Sequence, residues 1–253
     1  MHVDLNCDMG ESFGTYQLGL DEQVMPLITS ANVACGFHAG DPQVLRRSVE
    51  LARKHGAGIG AHVSFPDLVG FGRREMNATP LEVENDTLYQ LGAIGAFCRA
   101  AGVPVRHIKP HGALYNMAQK DRTLADAIVR AVVAFDPSLL VFAQPGSALE
   151  AAAQAAGLTA VGEVFADRAY NADGTLASRK LPGAVIHDPE QVAERAVRMV
   201  TSGSVTAIDG TVVPLRAETI CVHGDTPGAV DLIRRIRERL GESGVTIAAA
   251  AAR

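Results

Sequence analysis

The chain has no tryptophan, and aromatic side chains make up only 5% of its 253 residues. Its core must therefore be built from Ala, Val and Leu, and with 47% hydrophobic and 20% charged residues it reads as folded, not disordered. No apolar run approaches the roughly 18 residues of a membrane span, and the N-terminus lacks the basic and apolar regions of a leader. A cytoplasmic protein is expected. There is no Lys/Arg run, and the formal net charge is -5, which argues against nucleic acid and anionic membrane surfaces as partners. The four cysteines, Cys7, Cys35, Cys98 and Cys221, form no C-x-x-C pair, so buried free thiols are expected in place of a zinc knuckle or redox motif. A G-x-x-x-x-G-K-[ST] loop and a G-x-S-x-G elbow are both absent, and Gly56 to Gly60 does not fit the dinucleotide fingerprint. Small molecules and protein partners remain.

What is present is alternation. Strand patterns fall at 57–62, 105–109, 139–143, 159–165 and 219–222, with helical patterns at 20–28, 42–55, 81–101, 117–135, 147–156, 190–202 and 229–240. Asp41-Pro42, Thr79-Pro80, Asp188-Pro189 and Thr226-Pro227 mark helix starts, because the first residue caps free amides and Pro suits the first turn. Alternation of this kind predicts a parallel sheet with crossover helices in one domain over residues 1–253. Asp209-Gly210 marks a local hairpin, and the terminal Ala run reads as a frayed end.

The chemistry starts in the first strand. Side chains alternate along a strand, so Asp4, Asn6 and Asp8 share one face while Val3, Leu5 and Cys7 share the other. Either this is a solvated polar face or two carboxylates and an amide converge at a strand end. Ionisable residues recur past later strands: His38, His62, His107 with Lys109 and His111, Glu163 with Asp167 and Arg168, and His223 with Asp225. In a parallel α/β fold ligands bind beyond the carboxyl ends of the strands, and a barrel brings all those ends to one mouth. His107, Lys109 and His111 again share a side, which can hold an anion, polarise a carbonyl or move a proton. A plain Lys–carboxylate tie between strands is the other reading. Loops 64–78 and 166–183 add Lys180 and the arginines Arg73, Arg74, Arg168 and Arg179, whose guanidinium groups suit carboxylate or phosphate. Asp8, His38 and His62 are candidate ligands for a divalent metal.

Five blocks carry a resemblance: Asp4-Leu5-Asn6-Cys7-Asp8-Met9-Gly10-Glu11, Ala31 to Asp41 (ANVACGFHAGD), Gly60-Ala61-His62 with Ser64 to Asp67, Lys109 to Asn116 (KPHGALYN), and Glu163 to Arg168 (EVFADR). In this order they resemble the LamB/YcsF family, the A subunits of 5-oxoprolinase. Val63 and Cys7 depart from its usual residues without removing an ionisable group. The resemblance implies a TIM-like (β/α) barrel of seven or eight strands, related to the glycoside hydrolase/deacetylase group. It also implies ATP-dependent opening of the lactam 5-oxo-L-proline to L-glutamate, with partner subunits B and C and with ATP used by the assembled complex. On this reading Asp4, Asp8, His62, Lys109 and His111 are the catalytic candidates. Asn6, His38, Glu163, Arg168 and Arg179 are the candidates for holding substrate. A stand-alone metal-dependent amide hydrolase or deacetylase, and a non-catalytic subunit that only binds 5-oxoproline, are the alternatives.

Overall fold

The computed structural model describes residues 1–178, 180–222 and 228–251. Along the chain come β1 (His2–Met9), α1 (Asp21–Val24), β2 (Ser30–Ala34), α2 (Pro42–His55), β3 (Gly58–Val63), α3 (Pro80–Ala101) and β4 (Val105–Pro110). Then follow α4 (Gly112–Ala118), α5 (Arg122–Phe135), β5 (Leu140–Ala143), α6 (Ala148–Ala155), β6 (Ala160–Phe165) and α7 (Pro189–Ser202). The chain ends with β7 (Ser204–Thr206), β8 (Val212–Pro214), β9 (Thr219–Val222), α8 (Ala229–Glu242) and β10 (Thr246–Ile247). Strands β1, β2, β3, β4, β5, β6 and β9 pair in parallel in that order, and β9 pairs back onto β1. Seven strands therefore close the barrel, and β10 only extends the base of β1. Among the described residues no helix is long and apolar enough to cross a membrane.

Local chemistry sets the boundaries. Asp41 accepts from the amides of Gln43 and Val44 and so caps α2, while Thr79 and Glu82 cap α3 reciprocally. Asp188 caps α7 through the Gln191 amide, and the Thr226-Pro227 start lies outside the described residues. Asp209-Gly210 turns the antiparallel β7–β8 hairpin, with Gly210 at φ +90. All four cysteines are buried and free.

Two expectations need correction. The stretch 117–135 is not one helix, because the Asp121 carboxylate accepts from the amides of Thr123 and Leu124 and starts α5 anew after α4. A carboxylate that can bond nearby backbone competes with the continuous helix at such a position. Within the terminal Ala run, Ala248 and Ala250 are held against the barrel where a frayed end was expected. Ala248 donates to the Val3 carbonyl at 3.0 Å, and Ala250 packs on Leu140, Phe142 and Val161. Small apolar residues fit the narrow base of the barrel and shut it.

The two faces of the barrel wall differ sharply. Outward-facing Val3, Leu5, Cys7, Val33, Ala61 and Ile108 are buried in the main hydrophobic core. Inward, barrels of this kind usually carry branched aliphatics. Here Asp4, Asn6, Ser30, Asn32, His62, His107, Lys109, Glu163 and Thr219 are all buried. Buried polar groups need partners, and the barrel interior is consequently a stack of hydrogen-bonded layers.

Candidate active site

At the base, Asp4 accepts from three hydroxyls: Thr29 and Ser30 at 2.7 Å and Thr219 at 2.5 Å. Burial pushes its carboxyl above the usual range. Asp4 lies four residues below Asp8 on the same strand, roughly 13 Å at the usual strand rise. The middle layer is a set of amides and an imidazole. Asn6 donates to Thr219 Oγ1 at 2.7 Å, Asn32 donates to Asn6 Oδ1 at 2.7 Å, and His107 Nε2 meets Asn32 Oδ1 at 2.8 Å. The His107 ring stacks on Phe142 with centroids 4.1 Å apart and passes where a side chain at position 60 would otherwise stand. Gly60 thus makes room for it.

The upper layer carries the charges. Lys109 Nζ lies 2.7 Å from Asp8 Oδ1, 3.2 Å from Glu163 Oε1 and 3.0 Å from Cys221 Sγ. Burial opposes the ammonium, yet Asp8, Cys221 and Glu163 beside it hold the Lys109 pKa well above its ordinary value. Burial likewise raises the Asp8 carboxyl, and His62 and Lys109 more than offset this, holding it well below the usual range. Burial, and then the Glu163 carboxylate beside it, push the Tyr115 hydroxyl up strongly. Asn32 gives Asp8 Oδ1 a further hydrogen bond at 2.9 Å, leaving Oδ2 turned toward His62 Nε2 at 3.2 Å.

Above Asp8 three imidazoles and a carboxylate come together. His62 Nε2 and His111 Nδ1 are 2.9 Å apart, and Glu11 Oε1 lies 3.2 Å from His38 Nε2 and 3.6 Å from His111 Nδ1. His38 and His111 stack with ring centroids 3.9 Å apart. One ligand atom from each of Glu11, His38, His62 and His111 lies within 4.8 Å of every other, a possible metal-binding cluster. The outer nitrogens of two of these rings are held by backbone, His62 Nδ1 by the Lys109 carbonyl and His111 Nε2 by the Phe71 carbonyl, both at 2.9 Å. Such contacts orient metal-binding histidines, and three imidazoles with one carboxylate are a donor set that a divalent cation fits.

A cavity of about 760 Å³ opens onto this layer, lined among others by Asp8, His62, Lys109, His111 and Arg168. The structure thus brings Asp8, His38, His62, Lys109, His111 and Glu163 together at the mouth, with Asn6 one layer down and Asp4 at the base. Arg168 reaches the cavity wall, where its guanidinium donates to the carbonyls of Ala177 and Ala184. Arg74 pairs with Asp67. Arg179, His223 and Asp225 lie outside the described residues. Sequence reasoning did not assign Glu11, Asn32 or Cys221 to the site. Glu11 follows a turn at Gly10, whose φ of +68 ends the strand alternation on which that reasoning rested.

Fold and site define a class: a closed (β/α) barrel whose strand ends present a histidine–carboxylate cluster beside a buried Lys–Asp pair. The same fold occurs in a family 4 carbohydrate esterase from Streptomyces lividans, at a TM-score of 0.53 and 11% identity over 99% of this chain and 98% of that one. Within the class the match is specific. The LamB/YcsF family profile matches residues 3–253, and the chain belongs to that family. The A subunit of 5-oxoprolinase from Symbiobacterium thermophilum is 60% identical over 247 residues, 98% of this chain and 95% of that protein. The crystal structure of a lactam utilization protein from Thermus thermophilus superposes with a TM-score of 0.95 at 51% identity, over 99% of this chain and all of that one.

Proposed function

We propose that this chain is the A subunit of an ATP-hydrolysing 5-oxoprolinase, a cytoplasmic hydrolase that opens 5-oxo-L-proline to L-glutamate together with subunits B and C. The names of its close relatives support the reaction. The observation that carries the residue assignment is Asp8, whose one oxygen is tied to Lys109 and Asn32 while the other faces the cavity and the histidines. A lactam is a poor electrophile with a poor leaving group. ATP activates its oxygen by phosphorylation, and since this chain has no P-loop, that step belongs to the partner subunits. In the site proposed here Asp8 Oδ2 takes the proton of the attacking water, and Lys109 neutralises charge developing on the lactam oxygen or its phosphate. The C–N bond then breaks, the ring nitrogen takes up the proton that Asp8 gained, and a second water cleaves the acyl phosphate left behind to phosphate and the glutamate carboxylate. Glu163 holds Lys109 in place, and Arg168 meets the substrate carboxylate.

The histidines His62 and His111, named above among the catalytic candidates, take a different part. Their outer nitrogens are committed to backbone carbonyls and their inner ones face each other at 2.9 Å with Glu11 Oε1 4.0 and 3.6 Å away, so the reading gives these residues, with His38, to a divalent cation. Such a cation, when bound, supplies Lewis-acid polarisation of a carbonyl oxygen. The cluster also favours a second reading, a metal-dependent amide hydrolase that needs neither ATP nor partners.

Glutamate formation from 5-oxoproline separates the two, measured with and without ATP, for this chain alone and mixed with subunits B and C. Activity confined to the full mixture with ATP is expected. ATP-independent amide cleavage by the chain alone would replace this reading with the second. In the active mixture Asp8→Ala should lower turnover by at least about a hundredfold, the scale of a lost acid–base group. A near-normal rate in that folded variant would remove Asp8 from the chemistry.

A further inference from the structure

Hydrogen positions at the cluster follow from its neighbours. A carbonyl oxygen only accepts, so His62 Nδ1 carries a hydrogen toward Lys109 O, and His111 Nε2 carries one toward Phe71 O. With no added proton the other two nitrogens, His62 Nε2 and His111 Nδ1, bear lone pairs; they face each other at 2.9 Å, and Asp8 Oδ2 lies 3.2 Å from the first. Glu11 Oε1, which also accepts only, is 4.0 Å from the first and 3.6 Å from the second. His38 Nε2 approaches that same oxygen at 3.2 Å. Lone pairs aimed at one point repel. A proton reconciles one pair of them, whereas a cation among the four can accept from all.

Backbone strain falls at the same place. Phe71 has φ +54, a region that costs a non-glycine residue, and its carbonyl is the one that fixes His111. The turn is held from behind, since the Asp67 carboxylate accepts from the Gly70 amide and the Asp67 carbonyl accepts from the Gly72 amide at 2.9 Å. The loop is thus braced so that His111 arrives in one tautomer and one orientation.

We infer that Glu11, His38, His62 and His111 form a preformed site for a late first-row divalent cation of the zinc, cobalt, nickel or ferrous iron class, with Asp8 beside the site and outside its ligand set. The inference rests on the cation part of the proposal above and is independent of the lactam reaction. Imidazole suits these metals, while magnesium and calcium take oxygen ligands, of which the four-residue set offers a single carboxylate. Asp8 Oδ1 is already shared by Lys109 and Asn32, and its Oδ2 stays available as a proton acceptor. Compared with the set Asp8, His38 and His62 expected from sequence, the site keeps both histidines and exchanges Asp8 for Glu11 and His111.

The test uses the full chain alone, stripped with a chelator and dialysed, without partner subunits or ATP. Zn²⁺ or Co²⁺ should bind at one per chain and raise the melting temperature, and bound Co²⁺ should give visible absorption bands. Millimolar Mg²⁺ should leave the melting temperature unchanged. Glu11→Gln and His111→Gln should each weaken Co²⁺ binding at least about tenfold, while Asp8→Asn should bind Co²⁺ like the unaltered chain. Stabilisation by Mg²⁺ with no uptake of Zn²⁺ or Co²⁺ would overturn the metal class and leave a cation site standing. A folded chain that takes up no cation at all would remove the site, and equal losses in Asp8→Asn and Glu11→Gln would place Asp8 among the ligands. None of these outcomes depends on whether 5-oxoproline is turned over.

Discussion

Asn32 holds Asp8 by one oxygen only, donating to Oδ1 at 2.9 Å and leaving Oδ2 to face the histidines. A carboxylate accepts and cannot donate, so the Asn32 amide nitrogen must point to Asp8 and its oxygen to His107. His107 therefore carries its hydrogen on Nε2. The aim of a carboxylate at the mouth is set by a ring buried in the middle of the barrel, and that ring is itself placed by the gap at Gly60.

Gly60→Ala tests this line of support. The new methyl group falls on the His107 ring, so the ring must move and Asn32 with it. Overpacking of this kind costs about 1–3 kcal/mol. Misaiming of Asp8 should lower kcat roughly a hundredfold with little change in KM. Denaturant unfolding and steady-state kinetics of the assembled enzyme check the two effects separately.

His107 should also leave a mark on stability against pH. Burial pushes its pKa down to about 3, far below the 6.5 of an unfolded chain. Between these values the unfolded chain binds a proton that the native chain refuses, so stability falls as pH falls from about 6.5 toward 3. At pH 5 the loss from this residue amounts to about 2 kcal/mol. His107→Gln lacks that contribution, and the other buried histidines act alike in both proteins. The stability gap between the two should therefore shift by about 2 kcal/mol in favour of the variant between pH 7.5 and pH 5, as read from unfolding curves.

Asp4 and Asp8 should part company under mutation. Asp4 is enclosed by three hydroxyls at the base, away from the cavity. Asp4→Asn should cost about 1–3 kcal/mol of stability through a mismatched donor and leave kcat within about threefold. A loss of turnover as deep as that of Asp8→Ala, in a protein that still folds, would return Asp4 to the catalytic set.

Lys109 neutralises two carboxylates at once, Asp8 and Glu163. Lys109→Met leaves both buried without their cation and should destabilise by about 3–5 kcal/mol as well as abolish turnover. Adding Glu163→Gln removes one of the stranded charges. The double variant should regain part of the stability and none of the activity, a pattern that thermal unfolding and glutamate assays can both read.

Much of this was legible in the sequence because strand and helix periods are local properties. The capping pairs Asp41-Pro42 and Thr79-Pro80 start helices where expected, and Asp4, Asn6 and Asp8 do point inward together. The split at Asp121 depends on competition between one side chain and a helix, and the packing of Ala248 and Ala250 on a surface that only the closed barrel creates. Glu11 was hidden for a related reason: past Gly10 the backbone turns, and no period says where the next side chain points. His107 and Asn32 sit 75 residues apart, and only the order of strands joins them.

The strand that bears Asp8 precedes the other six strands of the barrel in the chain, yet its pairing is completed only by β9. Its partner Lys109 follows 101 residues later, and the Thr219 that bonds Asp4 follows 215 residues later. At roughly 5–20 residues per second, Asp8 waits about 5–20 s on the growing chain for Lys109, and Asp4 about 10–40 s for the Thr219 hydroxyl. The barrel cannot close, nor the mouth take shape, until β9 has emerged. A fragment that stops short of β9 lacks the strand that joins β6 back to β1, and with it Thr219 and Cys221.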